Sequence, residues 1–88
     1  MGEGRIRVHV TLLGVFGSTG LGRSLTLELP SSSSVSTLLE RLKALDERLA
    51  QLLSDTEYLI VVDGRPGRPD ARLRDGSRVA ILPAGSGG

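Results

Sequence analysis

The stretch from Val35 to Leu53 constrains the fold most. Val35, Leu38, Leu39, Leu42, Leu45, Leu49, Leu52 and Leu53 recur at helical spacing and form a broad apolar face. A face of that width must be buried against another element. Ser34 is placed to cap the helix; an alternative start uses Thr37 with Glu40 as a capping box. Nothing between Leu45 and Leu49 is a strong breaker, so one long helix or two segments bent near Asp46 satisfy the same pattern.

The partner surface is supplied by strands on both sides of this stretch. From Arg5 to Leu13 the side chains alternate, with Ile6, Val8, Val10 and Leu12 on one face and Arg5, Arg7, His9, Thr11 and Leu13 on the other. Glycines between Gly14 and Gly22 interrupt the alternation, which resumes at Leu25, Leu27 and Leu29, predicting an antiparallel hairpin with a flexible Gly-rich connection. Tyr58 to Val62, rich in β-branched residues, reads as a central strand that ends at an Asp63-Gly64 turn. Arg65 to Arg74, with two prolines, reads as an irregular excursion in which only Ala71 to Leu73 suggests a short edge piece. After an Asp75-Gly76 turn, Val79 to Leu82 supplies the last strand. Two strands, a helix and two or three further strands predict an α+β roll of the ubiquitin-like β-grasp kind, a mixed four- or five-stranded sheet packed against a helix. The expected division is a flexible N-terminus at 1–4, the domain at 5–83 and a flexible C-terminal tail at 84–88.

Composition removes several classes of function. The chain has 88 residues, enough for one domain that buries roughly 60–65% of its unfolded surface. Eleven Lys plus Arg against ten Asp plus Glu give a net charge of +1, unlike a dedicated nucleic-acid binder. With no cysteine there is no disulfide, thiolate metal site or Cys nucleophile, so any sulfur must arrive from outside. The start has no signal-peptide pattern, and no apolar run approaches the ~20 residues of a membrane helix, so a cytoplasmic location without membrane attachment is expected.

Specificity is concentrated at the end of the chain. Leu73-Arg74-Asp75-Gly76-Ser77-Arg78-Val79-Ala80-Ile81-Leu82-Pro83, followed by terminal Gly87-Gly88, resembles the small sulfur-carrier subunit of molybdopterin synthase, within the ubiquitin-like molybdopterin and thiamine sulfur-carrier family. The resemblance implies a β-grasp carrier, itself non-catalytic, whose Gly88 carboxylate is adenylated by a ubiquitin-activating-type enzyme and becomes a thiocarboxylate. Gly85, Ser86 and Gly87 would enter the large synthase subunit, which supplies the catalytic pocket for molybdenum cofactor biosynthesis. A sulfur donor protein is a further implied partner. No metal or cofactor would be bound by this chain, and ATP would be used by the activating partner. Sulfur carriage for thiamine synthesis or transfer-RNA thiolation is the alternative. Asp63-Gly64 stands where the family has an Asn-Gly turn, and Pro83-Ala84-Gly85 where it commonly has two prolines and a branched residue, so a looser tail is expected.

The residues themselves permit that chemistry. A chain-terminal carboxylate, with a reference pKa of ~3.5, is ionised near neutral pH but cannot take up sulfur until an oxygen becomes a leaving group. Glycine lets the backbone enter a narrow channel without a Cβ. The five arginines from Arg65 to Arg78 are expected near the exit of the tail, with Arg72, Arg74 and Arg78 as candidate docking residues, and Phe16 either anchors its loop or meets a partner. Among competing readings, the Gly14 to Gly22 cluster lacks both a dinucleotide fingerprint and a phosphate-loop Lys. His9 has no metal-ligand company, and Asp63, Asp70 and Asp75 read as turn residues. A β-grasp RNA- or protein-binding module is the alternative of a different class; Phe16 and Tyr58, the only aromatics, offer RNA no stacking platform.

Overall fold

A computed structural model describes residues 4–84. The strands are β1 (Arg5–Leu12), β2 (Ser24–Pro30), β3 (Tyr58–Val62), β4 (Arg65–Pro66) and β5 (Arg78–Pro83); the helices are α1 (Val35–Leu45) and α2 (Glu47–Asp55). They form one five-stranded sheet in the order β2-β1-β5-β3-β4. The central pair, β1 and β5, is parallel, and the β1–β2, β3–β5 and β3–β4 pairs are antiparallel. This is the mixed β-grasp sheet expected from the order of elements.

The alternation of β1 becomes burial directly: Ile6, Val8, Val10 and Leu12 are buried while Arg5, Arg7, His9 and Thr11 are exposed. The buried set meets Val35, Leu38, Leu42, Leu49 and Leu53 from the helices and Leu29, Leu73, Val79 and Ile81 from the rest of the chain. Each fully enclosed Val or Leu contributes roughly 1.5–3 kcal/mol by leaving water. Leu45, expected on the apolar face, is 49% exposed because α1 stops there.

The helical stretch is two segments, broken at Asp46, which has extended backbone angles (φ −146°, ψ 116°). Its side chain explains the break. Asp46 Oδ1 accepts from the Leu49 N–H at 2.9 Å as the N-cap of α2, and Oδ2 accepts from the Gly20 N–H at 3.0 Å. The start of α1 is the Ser34 cap: Ser34 Oγ accepts from the Thr37 N–H while Thr37 Oγ1 accepts from the Ser34 N–H, closing a capping box. Glu40 instead lies 3.8 Å from Lys43, one turn along the helix surface.

Two expectations for the second half of the sheet are corrected. Tyr58 to Val62 is not central; it lies next to the short edge strand β4, and its residues are only partly buried, with Leu59 55% exposed. A β-branched run marked the strand but not its place in the sheet. The edge piece is Arg65–Pro66, where the missing N–H of proline is tolerated, whereas Ala71 to Leu73 contributes only an isolated Ser34–Arg72 bridge. Asp63 (φ 50°) and Gly64 (φ 83°) form the predicted turn into β4. The carboxylates of Asp63 and Asp75 accept the N–H groups of Arg78 and Arg7, each at 2.8 Å, so both fasten turns to distant strands.

Candidate docking face and tail root

The last described residues form the root of the tail. Pro83 pairs with Tyr58 at the end of β5, and the Ala84 N–H donates to the Glu57 carbonyl at 3.0 Å. A 3-10 turn, Gly14–Ser18, packs against this point. Gly14 sits at φ +59°, and a Cβ built on it would stand 2.7 Å from Pro83 Cγ, so only glycine allows the approach. Phe16 of the same turn is 0% exposed and meets Tyr58 edge to face, with ring centroids 6.1 Å apart. It therefore anchors the turn; as a candidate docking residue it is corrected, because no partner can touch it without opening the core. A Cβ on Gly17 would lie 2.7 Å from the Leu12 carbonyl oxygen. Close packing thus accounts for these glycines without a phosphate ligand. The connection expected to be flexible holds a 3-10 turn with a buried phenylalanine.

The face of the sheet away from the helices is organised in rows across the strands. The register aligns Glu28 with Arg7, then Thr26 with His9 and Arg78, then Ser24 with Thr11, Ala80, Val61 and Pro66, then Leu82 with Leu59. Leu13, 42% exposed, continues the outward alternation of β1 beside the last row. One end of the face is therefore charged and polar, and the other is apolar and borders the tail root. Exposed Val15 (41%) extends the apolar end through the 3-10 turn.

The arginines occupy a different place from the one expected. Arg78 begins β5 and Pro83 ends it, five residues apart, or about 17 Å at strand rise. The Gly76 N–H donates to the Arg7 carbonyl, so the segment carrying Arg74 runs beside the early part of β1. Arg72 bridges Ser34 at the start of α1. Parallel pairing of β1 with β5 thus separates Arg72, Arg74 and Arg78 from the exit, which is bordered by Leu13, Leu59 and Leu82. Sequence reasoning did not single out these leucines; the outward phase of Leu13 and of Leu59 in their alternations was the available signal. Gly85, Ser86, Gly87 and Gly88 lie outside the described residues.

Among the described residues, no cluster of three His, Cys, Asp or Glu side chains could hold a metal ion, and no helix is long and apolar enough to cross a membrane. His9 is exposed, with Nδ1 3.1 Å from Thr26 Oγ1.

Residues 17–88 match the ThiS family. The chain belongs to the ThiS family. It is a ubiquitin-fold sulfur carrier of that group. The fold of this ThiS-family chain is similar to that of a Pyrococcus furiosus protein provisionally described as molybdopterin converting factor, subunit 1, at 26% identity and TM-score 0.79, covering 89% of this chain and 97% of that one. The HVO 2177 protein of Haloferax volcanii is similar over 100% of this chain and 92% of its own, at 21% identity and TM-score 0.84. SAMP1 of Haloferax volcanii is similar over 93% and 99%, at 15% identity and TM-score 0.75. No curated protein matches the sequence.

Proposed function

We propose that this ThiS-family carrier is charged at the Gly88 carboxylate and donates sulfur in molybdopterin biosynthesis. The observation that carries the reading is a family match running through to Gly88, on a chain whose last strand ends in a packed root. The likeness at 26% identity to a chain described as a molybdopterin converting factor subunit favours the pterin pathway over thiamine synthesis or transfer-RNA thiolation. The carrier acts in the cytoplasm with three partners: a ubiquitin-activating-type enzyme, a sulfur donor protein and a larger synthase subunit.

The chemistry begins with an ionised carboxylate. A carboxylate oxygen attacks the α-phosphorus of ATP on the activating enzyme, forming the acyl adenylate and releasing pyrophosphate. Sulfide displaces AMP at the carbonyl and gives the thiocarboxylate. A persulfide donor gives an acyl disulfide instead, and a thiol then reduces its S–S bond to release the same product. This chain's part is to deliver the carbonyl. From Ala84 to Gly88 there are five residues, which span at most about 18 Å when extended, and three of them are glycine. The Gly14–Pro83 contact fixes where that reach begins, and the apolar row of Leu13, Leu82 and Leu59 beside it gives a partner a surface on which to seat the domain.

Deleting Gly88 is expected to leave folding unchanged and to abolish productive sulfur transfer, because the remaining Gly87 carboxylate falls one residue short. Adding Ala after Gly88 moves the carbonyl outward and adds a Cβ, with the same expected loss. Intact, shortened and extended proteins, given ATP, a sulfur donor and the activating enzyme, are compared by mass spectrometry for the adenylate and for exchange of one oxygen for sulfur. Equal sulfur uptake by all three overturns the reading. Co-purification tests the pathway: stable association with a thiazole-forming enzyme alone, and with no pterin-synthase large subunit, rejects the pterin assignment.

A further inference from the structure

We infer that the row formed by Thr26, His9 and Arg78 is a carboxylate-binding subsite, which takes an acidic side chain of the partner protein whose apolar surface covers the leucine end of the same face. The docking part of this inference rests on the proposed carrier function. The subsite itself rests on the geometry of the sheet.

The row lines a trough of about 400 Å³ with His9, Thr11, Ser24, Thr26 and Arg78, so most of its side chains carry a hydrogen-bonding group. Arg78 is the fixed positive charge. Its backbone is held on one side by the Asp63 carboxylate, which accepts its N–H, and on the other by the register with His9. Its guanidinium makes no ion pair among the described residues, whereas the neighbouring Arg7 lies 3.9 Å from Glu28. Thr26 Oγ1 is within hydrogen-bond distance of His9 Nδ1, a contact that positions the ring over β1 and β2. When Thr26 donates, the ring carries its proton on Nε2 and is itself a donor. A planar carboxylate suits the fork of an arginine; with Thr26 donating to His9, the further donors of the trough are the His9 ring N–H and the Thr11 and Ser24 hydroxyls.

The occupant follows from what shares the face. Arg78 and Leu82 lie on the same side of β5, four residues or about 13 Å apart, with the small Ala80 between them. A partner resting on Leu82 and Leu59 spans that distance within one ordinary interface and meets the guanidinium at its rim. A single paired charge there sets orientation and association rate. A polyanion fits less well: Glu28 lies in the next row, and both aromatics, Phe16 and Tyr58, pack with the core on the helix side of the sheet, leaving no stacking surface here.

Two measurements on the full-length protein test this. In the first, isotope-labelled protein is titrated with sodium acetate at constant ionic strength against sodium chloride. Expected are saturable shifts of the His9, Thr11, Thr26 and Arg78 amides, with half-saturation on the order of millimolar, and their loss in Arg78→Gln. Equal shifts with chloride, or shifts unchanged in Arg78→Gln, overturn the subsite. This arm needs no partner, so it reads the trough even if Gly88 is never activated. In the second, Arg78→Glu is expected to weaken binding to the activating enzyme or the large synthase subunit at least tenfold, mainly through the association rate. Undiminished binding to every partner that charges or accepts the tail refutes the docking role while leaving the carrier function standing. Tighter binding of a single-stranded RNA oligomer than of either protein, lost in Arg78→Glu, also overturns the inference.

Discussion

Asp46 joins three parts of the fold, so replacing it separates their contributions. In Asp46→Ala, α2 loses the cap that accepts from Leu49 at 2.9 Å, and the loop after the 3-10 turn loses its 3.0 Å bond from Gly20. The cap is worth about 1 kcal/mol and a loop hydrogen bond at a partly exposed site about 1 kcal/mol more, giving a destabilisation of about 2 kcal/mol. For a domain of this size that lowers Tm by roughly 8–16 °C. In Asp46→Asn, the amide oxygen can still cap Leu49 but the NH2 group cannot accept from Gly20, so the expected loss is about half as large, near 1 kcal/mol. Urea unfolding followed by circular dichroism, with the slope of the transition unchanged, measures both. An Asp46→Ala variant within about 0.5 kcal/mol of the native protein would show that neither bond contributes as stated, and an Asn variant as costly as the Ala variant would refute the separate roles of the two carboxylate oxygens. The Gly20 loop follows the turn whose Gly14 packs against Pro83, so the bond lies close in sequence to the packing of the tail root.

Two further outcomes are expected. Leu42 is fully buried between the helices and the sheet, so Leu42→Ala should cost roughly 2–5 kcal/mol in denaturant unfolding, and an effect below about 0.5 kcal/mol would mean the helix face is misassigned. Leu59→Arg, at a 55% exposed position, should change stability by no more than about 0.5 kcal/mol yet weaken partner binding at least tenfold; unaltered affinity by calorimetry would remove the leucine row from the docking face.

What was legible in the sequence is the part set by periodicity. The alternation of β1 and the leucine spacing of α1 and α2 report directly which atoms leave water: the structure buries Ile6, Val8, Val10, Leu12, Val35, Leu38, Leu42, Leu49 and Leu53, half-buries Leu39 and Leu52, and leaves Leu45 exposed. Asp63-Gly64 was legible for a similar reason, since the turn needs backbone angles that few residues accept. The position of Tyr58 to Val62 was not, because strand order depends on which distant strand pairs with which, and composition carries only a faint trace of that choice. Phe16 was legible only as a choice between anchoring its loop and meeting a partner: a single aromatic among glycines carries no period, and the anchoring contact is with Tyr58, 42 positions later in the chain. The arginines misled because nearness in sequence to Pro83 was taken for nearness in space.

The parallel pairing of β1 with β5 has a consequence for how the carrier works. Because β5 enters the sheet beside His9 and leaves it beyond Leu12, the basic entry segment and the tail root at Pro83 and Ala84 lie at opposite ends of one surface. On the proposed function this would separate steering from reaction. Long-range attraction to a partner would act through Arg72, Arg74 and Arg78, which lie away from the tail root. Short-range burial against that partner would act through Leu13, Leu59 and Leu82, next to the tail root. The same division predicts opposite kinetic signatures. Raising ionic strength should lower the association rate of the native carrier while leaving dissociation nearly constant, whereas Leu59→Arg should chiefly accelerate dissociation. Stopped-flow binding at two salt concentrations separates the two effects, and a salt-dependent dissociation rate with a constant association rate would show that the charged end is not the steering element.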